Sequence, residues 1–295
     1  MASRPYAFGG EPIGEAPDRR RALSRVAGVT PGVALGVAIL LLIVLLALLV
    51  PVVSPYGVEQ QDFNIILAHP SSRHLFGTDE LGRDIFTRVC YGARYSLFIS
   101  FLSVAGAAIV GTALGLVAGY LGGIVDDVVM RICDLQLAFP LVLLALTVIA
   151  ILGGSVLNVI LVFALTIWPV FARTVRGSTI LLRERPFVDA SRAIGASRGR
   201  ILLRHVLPNA LSPLVVVGTF QFASVVIYEA SLGFLGLGVQ PPTPTWGNMM
   251  AEGRQYISSA WWICLFPGVA LVLTTAAANW LGDGLNRIID PRQRA

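Results

Sequence analysis

The feature that most constrains this chain is a set of long stretches without a charged residue: Val26 to Val58, Tyr95 to Val125, Leu135 to Ala172, Ala210 to Tyr228 and Gln255 to Gly282. A helix needs about 20 mainly apolar residues to cross the hydrocarbon core of a bilayer, and these windows hold six such segments. Backbone N–H and C=O groups in that core must be paired inside the protein, which a helix does within itself. The expected fold is an all-α polytopic membrane protein with six transmembrane helices. Composition agrees, since 55% of the 295 residues are apolar and 13% charged, a balance foreign to a soluble domain.

The spans are expected near Val33 to Val50, Ser96 to Tyr120, Val128 to Leu152, Val156 to Phe171, Leu211 to Tyr228 and Trp262 to Leu281. The layout is then a disordered cytoplasmic tail over 1–30, a first transmembrane helix over 31–53 and an extracytoplasmic loop with short helices over 54–95. A core of five transmembrane helices follows over 96–285, containing a polar loop at 173–209, and a cytoplasmic tail closes the chain over 286–295. The basic cluster Arg19, Arg20, Arg21 and Arg25 ahead of the first apolar run imitates a signal peptide. That run exceeds a usual h-region, however, and no A-x-A cleavage site follows it. Gly153, Gly154 and Ser155 are the only break between spans three and four, which predicts a tight hairpin. With the N-terminus inside, 17 arginines fall on inner segments and 5 on outer ones, so the positive-inside rule places both termini in the cytoplasm.

All 22 basic residues are arginine. A phosphate-binding loop of the G-x-x-x-x-G-K-[ST] type needs a lysine, so any nucleotide that powers this protein through such a loop is bound by another chain. The net charge of +5 reports orientation on a polytopic protein, and no nucleic-acid partner is expected. Cys90, Cys133 and Cys264 are isolated thiols suited to packing. His69 and His74 share the outer loop without a third ligand, which does not make a metal site. No Ser-His-Asp, paired-carboxylate or H-E-x-x-H arrangement is present, so no catalytic residue is expected.

Three segments carry more than hydropathy. The loop RTVRGSTILLRERPFVDASRAIGASRGRILLRHVLPN, over 173–209, is too polar to cross a membrane and is patterned as two short helices. One runs from Val188 to Ile194 and ends at Gly195. The other runs from Ser197 to Val206 and stops before Pro208, with Arg200 and Arg204 on one face and Leu202 and Val206 on another. Such a pair suits docking to a partner protein and equally suits lying on anionic headgroups.

The string HLFGTDELGRD, His74 to Asp84, offers Thr78 or Asp79 as a helix cap. It is expected to make the pairs Asp79–Arg83 and Asp84–Arg88, with Leu81, Ile85 and Val89 on the apolar side. The string EASLGFLGLGVQPPTPTWG, Glu229 to Gly247, combines Gly233, Gly236 and Gly238 with three prolines. It reads as a re-entrant gate beside a water-filled passage or as a rigid outer loop. Gly111, Gly115 and Gly119 form a stripe for close helix approach, either tight packing or sliding. Asp134 is expected to pair with Arg131 and Glu229 to sit within reach of the outer interface, where it marks a gate or pathway. Asn279 is a candidate for a hydrogen bond between helices.

These residues resemble a known family. Asp189-Ala190-Ser191, then Gly195, then Leu207-Pro208, looks like the EAA motif of permease subunits of ATP-binding-cassette importers. Asp189 stands in place of the usual glutamate, Ser191 in place of the second alanine, and His205 where many families have isoleucine. The string RHVLPN is similar to the peptide-permease branch. The outer string, with Gly77, Thr78, Asp79, Gly82, Arg83 and Asp84, is similar to the H-x-F-G-T-D-x-x-G-R-D signature of dipeptide, oligopeptide and nickel permeases of the C type. The segments after Glu229 and from Phe266 to Arg292 are similar to the same family.

The resemblance implies a type I importer permease fold whose cytoplasmic coupling helices, with Asp189, Ala190, Ser191, Gly195, Arg200, Arg204, His205 and Pro208, contact the ATPases. It implies a heterodimer with a second homologous permease, two ATPase subunits that bind ATP and Mg, an extracytoplasmic peptide-binding protein, and a multi-pass location in a bacterial inner membrane. No cofactor or metal is expected on this chain. A nickel or other small-solute importer of the same family shares these motifs. An ion-driven carrier or a membrane scaffold would need the loop to serve another purpose.

Overall fold

The computed structural model describes residues 31–289; the expected tail over 1–30 and residues 290–295 of the one expected over 286–295 lie outside them, while 286–289 belong to the last helix. Among the described residues the regular structure is helical. In chain order the helices are α1 (Pro31–Val53), α2 (Ile85–Leu121), α3 (Gly123–Leu137), α4 (Leu141–Leu152), α5 (Val156–Arg183) and α6 (Pro186–Ala193). They continue with α7 (Arg198–Ile201), a π turn (Leu202–Val206), α8 (Leu207–Phe234), α9 (Trp246–Gly253) and α10 (Trp262–Ile289). Five continuous stretches are long and apolar enough to cross a membrane, and α3 with α4 makes a sixth if counted as one broken span.

The expected third span, Val128 to Leu152, is not continuous. It breaks between Leu137 and Leu141 with a bend of 86°, because Pro140 supplies no N–H and disfavours helical geometry at the residue before it. α3 then lies along α5, held by three polar contacts. Arg176 binds Asp126 through two nitrogens at 2.5 and 2.6 Å, Arg173 pairs with Asp134, and Gln136 Nε2 donates to the Leu165 carbonyl at 2.5 Å. The last contact has a specific cause. Pro169 lies inside α5 and has no N–H to give the carbonyl four residues earlier, so the Gln136 amide takes that oxygen. The expected Asp134–Arg131 pair is therefore replaced by Asp134–Arg173, since α5 brings a cation across from another helix.

The glycine stripe explains the closest helix pair. A Cβ at Gly111 would lie 2.5 Å from the Trp168 carbonyl oxygen, and one at Gly115 would overlap that of Ala172. Only glycine admits a backbone approach of that kind. This places α2 and α5 in backbone contact, the tight-packing alternative, around a core of Ile99, Phe163, Ile167, Phe171, Val206 and Leu214. The hairpin between α4 and α5 forms as expected, with Gly153 at φ +85° and Ser155 capping α5 through Asn158 N–H. α1 leans on α10, where Gly36 approaches the Ala277 carbonyl, and exposes Leu41, Leu42, Leu45 and Leu48. The Asn279 side chain is exposed and makes no hydrogen bond among the described residues.

Candidate functional site

At one end of the bundle the outer string folds into a buried ionic knot. α2 begins at Ile85, eleven residues before the expected span, because Asp84 caps it by accepting from Thr87 N–H at 2.8 Å. Neither Thr78 nor Asp79 caps a helix. They belong to a turn closed by a bridge between Thr78 and Asp84 and shaped by Gly77 and Gly82 at φ +77° and +71°. At Gly82 a Cβ would overlap the Asp62 carbonyl oxygen.

The Asp79 carboxylate is fully buried and accepts from the Leu81 and Arg83 N–H groups at 2.9 Å each, from Arg83 Nε at 2.6 Å and from Arg88. The expected Asp79–Arg83 pair is thus present. The expected Asp84–Arg88 pair is not, because Arg88 turns to Asp79 and to Glu252 of α9 at 2.9 Å, while Asp84 is taken by its capping contacts and by His74 at 2.9 Å. Leu81 is half-buried, whereas Ile85 and Val89 are in the core.

Asp79, Glu80 and Glu252 gather within metal-binding distance of one another, but Arg83 and Arg88 supply their counter-charge. Burial pushes the Glu80 carboxyl above its ordinary value. His69 lies edge-on to Trp262 and His74 stacks on Tyr56, so the two imidazoles serve different neighbours.

Beside this knot, Glu229 is 1% exposed. α2, α8 and α9 converge on it, so protein surrounds the carboxylate. Ser96 Oγ donates to its carboxylate at 3.0 Å and accepts from Trp246 N–H at 3.4 Å. Gly233 lies buried in the last turn of α8, Gly236 takes φ +79° just beyond it, and a Cβ on Gly238 would meet Gly233 Cα at 2.6 Å. The segment that follows is pinned, with Gln240 N–H donating to the Gly154 carbonyl at 3.1 Å and Asn248 Nδ2 to that of Val239. This is the rigid-loop alternative in the present conformation.

The opposite end carries the helix pair α6–α7. α6 ends as expected before Gly195, which takes φ +81° and has open space where a Cβ would stand. Val188, Ile201 and Val206 are buried in the main core, and Ser191 Oγ donates to the Phe187 carbonyl at 2.8 Å. Asp189, Ala190, Gly195, Arg200 and Arg204 are exposed, together with Ile194 at 86% and Leu203 at 67%. His205 packs beside the Phe187 ring.

The second helix does not stop before Pro208. It passes through the π turn, where Leu207 N–H donates to the Leu202 carbonyl, directly into α8. The wider turn accommodates a proline that has no N–H and would clash in a regular helix. Asn209 Nδ2 donates to the His205 carbonyl at 2.6 Å. Sequence reasoning missed Asn209, Gln136, Ser96 and Glu252. The first two carry a signal, a side-chain amide able to serve a carbonyl close to a helix proline; the last two carry none that is local.

Comparison with known proteins agrees with this geometry. Residues 111–295 match the family described as binding-protein-dependent transport system inner membrane component, and residues 31–70 match the N-terminal transmembrane domain of oligopeptide transport permease C. The chain is 48% identical to the dipeptide transport system permease protein DppC of Alkalihalophilus pseudofirmus, over 78% of this chain and 75% of that one. It is 42% identical to the di/tripeptide transport system permease protein DppC of Pseudomonas aeruginosa, over 82% of each. It is 43% identical to the glutathione transport system permease protein GsiD of Pectobacterium atrosepticum, over 82% and 80%. Among solved structures, an inward-facing MetNI methionine ABC transporter chain aligns with a TM-score of 0.55 and 24% identity, over 69% of this chain and 96% of that one, a likeness of fold. The chain therefore belongs to the binding-protein-dependent transport system inner-membrane components, and is a multi-pass, non-catalytic permease subunit of an ATP-binding-cassette importer.

Proposed function

We propose that this chain forms half of a translocation pathway for dipeptides or short oligopeptides, paired with a second homologous permease, with both termini in the cytoplasm. Two ATPase subunits bind ATP and Mg and dock at α6–α7, and an extracytoplasmic binding protein delivers the peptide at the end bearing the ionic knot. No cofactor or metal is held by this chain. The names of relatives 42–48% identical support the peptide class.

The observation that carries the coupling role is the two-sided character of α6–α7. Ile194, at 86% exposure, stands at the tip of a hairpin whose inner face, Val188, Ile201 and Val206, belongs to the same core as Phe163 and Phe171. A partner that grips the tip moves a packed body rather than a loose loop. Closely packed elements shift as units, so displacement of the hairpin passes to α5 and α8. Asp189, Ala190, Arg200 and Arg204 frame the exposed tip, while Ser191, His205 and Pro208 shape it. The outer segment around Glu229, Gly233, Gly236 and Gly238 closes the opposite mouth and must yield when the spans reopen.

The test is Ile194→Asp in the complete importer. The variant is expected to reach the membrane and purify with the second permease but to lose at least nine-tenths of the co-purifying ATPase. Retention of both ATPases at wild-type stoichiometry would sink the coupling role.

A further inference from the structure

We propose that Glu229 is a movable joint inside the bundle: α8 shifts one turn along α2 during transport, and the carboxylate passes from Ser96 to Ser100. The drive for that shift rests on the coupling role of α6–α7 proposed above.

Three serines offer successive positions. Ser96, Ser100 and Ser103 recur at spacings of four and three on α2, which puts them on one face of the helix, and each is fully buried. Ser96 Oγ donates to Glu229 Oε2 and accepts from Trp246 N–H, and the Thr245 hydroxyl that caps α9 lies beside the same carboxylate. Ser100 Oγ, Ser103 Oγ and Glu229 Oε1 make no hydrogen bond among the described residues. Buried polar atoms are normally paired, because one left alone has given up its water without a replacement. A carboxylate with a spare oxygen, one helix turn from an unpaired hydroxyl on the same face, fits a contact that has two positions.

The direction of the shift is set by the neighbours of Ser96. Outward of it the same face carries Gly92 and Val89, and the Trp246 indole covers both. A ring carbon of Trp246 lies 3.2 Å from where a Gly92 Cβ would stand, and Trp246 Nε1 donates to the Val89 carbonyl. The next polar group on this face lies inward, at Ser100, so the shift carries α8 toward the α6–α7 end. α8 reaches that end without a break, since Arg198–Phe234 runs as one helical stretch through the π turn.

The outer contacts of α8 suit such a movement. A Cβ at Gly247 would overlap the Ala230 carbonyl oxygen, and one at Gly238 would meet Gly233, so backbone rather than interlocked side chains faces α8 there. Packed elements change place in discrete steps, of which a one-turn ratchet of about 5.4 Å is one.

The experiment uses the complete importer, made cysteine-free and reconstituted in proteoliposomes. Nitroxide labels are placed on Ile227→Cys of α8 with either Val117→Cys at the inner end of α2 or Phe63→Cys in the outer loop, in variants that keep wild-type uptake. Electron–electron double resonance compares the resting state with that trapped by loaded binding protein, Mg-ATP and vanadate. The 227–117 distance is expected to shorten and the 227–63 distance to lengthen, each by about 5 Å; two unchanged distances, or two that move with the same sign, overturn the inference. In parallel, Ser100→Ala is expected to leave the unfolding midpoint of the resting protein unchanged while cutting uptake at least fivefold, with Ser103→Ala, two turns from Ser96, within twofold of wild type. Wild-type uptake in Ser100→Ala also overturns it. The labels follow α8 whatever drives it. A shift seen while Ile194→Asp keeps its ATPases removes the coupling role alone, and fixed distances while Ile194→Asp sheds them remove the joint alone.

Discussion

The two ends of the bundle handle charge in opposite ways. At the outer-string end, Asp79, Arg83, Arg88 and Glu252 form a network in which Asp79 and Arg88 are almost wholly buried, and Trp262 and Trp246 close over it with hydrogen bonds to the Thr78 and Val89 carbonyls at 3.0 Å each. At the α6–α7 end, Arg200 and Arg204 are exposed and only the inner face of the hairpin is packed. A buried network fixes one arrangement, because breaking any pair leaves a charge without water. An exposed face leaves its charges solvated until a partner arrives. One end holds its shape through its own contacts; the other, on the coupling role proposed above, is completed by an ATPase.

The comparison is broken most sharply at Arg88. Arg88→Ala leaves buried Asp79 short of a partner and should cost about 3–5 kcal/mol, read as a large fall in the thermal unfolding midpoint of the detergent-purified protein. Arg204→Ala, with its exposed side chain, is the matched control and should stay within about 0.5 kcal/mol; equal losses at both ends would refute the contrast. A smaller effect is expected at the joint between hairpin and span. Asn209→Ala strips the His205 carbonyl of its side-chain partner and should cost about 1 kcal/mol, with greater protease sensitivity confined to 195–210.

An effect of similar size and opposite sign is expected for Glu80→Gln. Burial raises the Glu80 carboxyl above 4.5, so the folded state holds that proton more tightly than the unfolded one. The stabilisation is present at low pH and is lost as pH rises through the raised value. An amide at this position cannot titrate, so the substitution should gain up to about 1 kcal/mol at neutral pH and flatten the pH dependence of the midpoint above 4.5. An unchanged pH profile would remove Glu80 from the account.

Much of the fold was legible. The charge-free windows located the spans, Gly153 to Ser155 marked a hairpin, and Gly111, Gly115 and Gly119 pointed to the helix contact they make. In the α6–α7 pair, Gly195 and the helix before it fell where expected. The failures share a cause. Asp84–Arg88, Asp134–Arg131 and the end of helix at Pro208 were inferred from near neighbours in sequence, and in each case a group from another element or another register took over. Arg88 found Asp79 and Glu252, Asp134 found Arg173, and the π turn let the chain pass Pro208 without a break.

What the sequence determined by itself is the helical, membrane-spanning class and the rough placement of the spans, because the absence of charge over about 20 residues and the demand for internal backbone pairing leave few alternatives. Tertiary structure alone decided which charges meet and that Glu229 is enclosed by three helices. Those outcomes depend on contacts such as Ser96 with Glu229, 133 positions apart, and Arg83 with Glu252, 169 apart, for which no local pattern exists. Periodicity encodes which face of a helix is apolar; it does not encode which distant side chain will arrive to neutralise a buried charge.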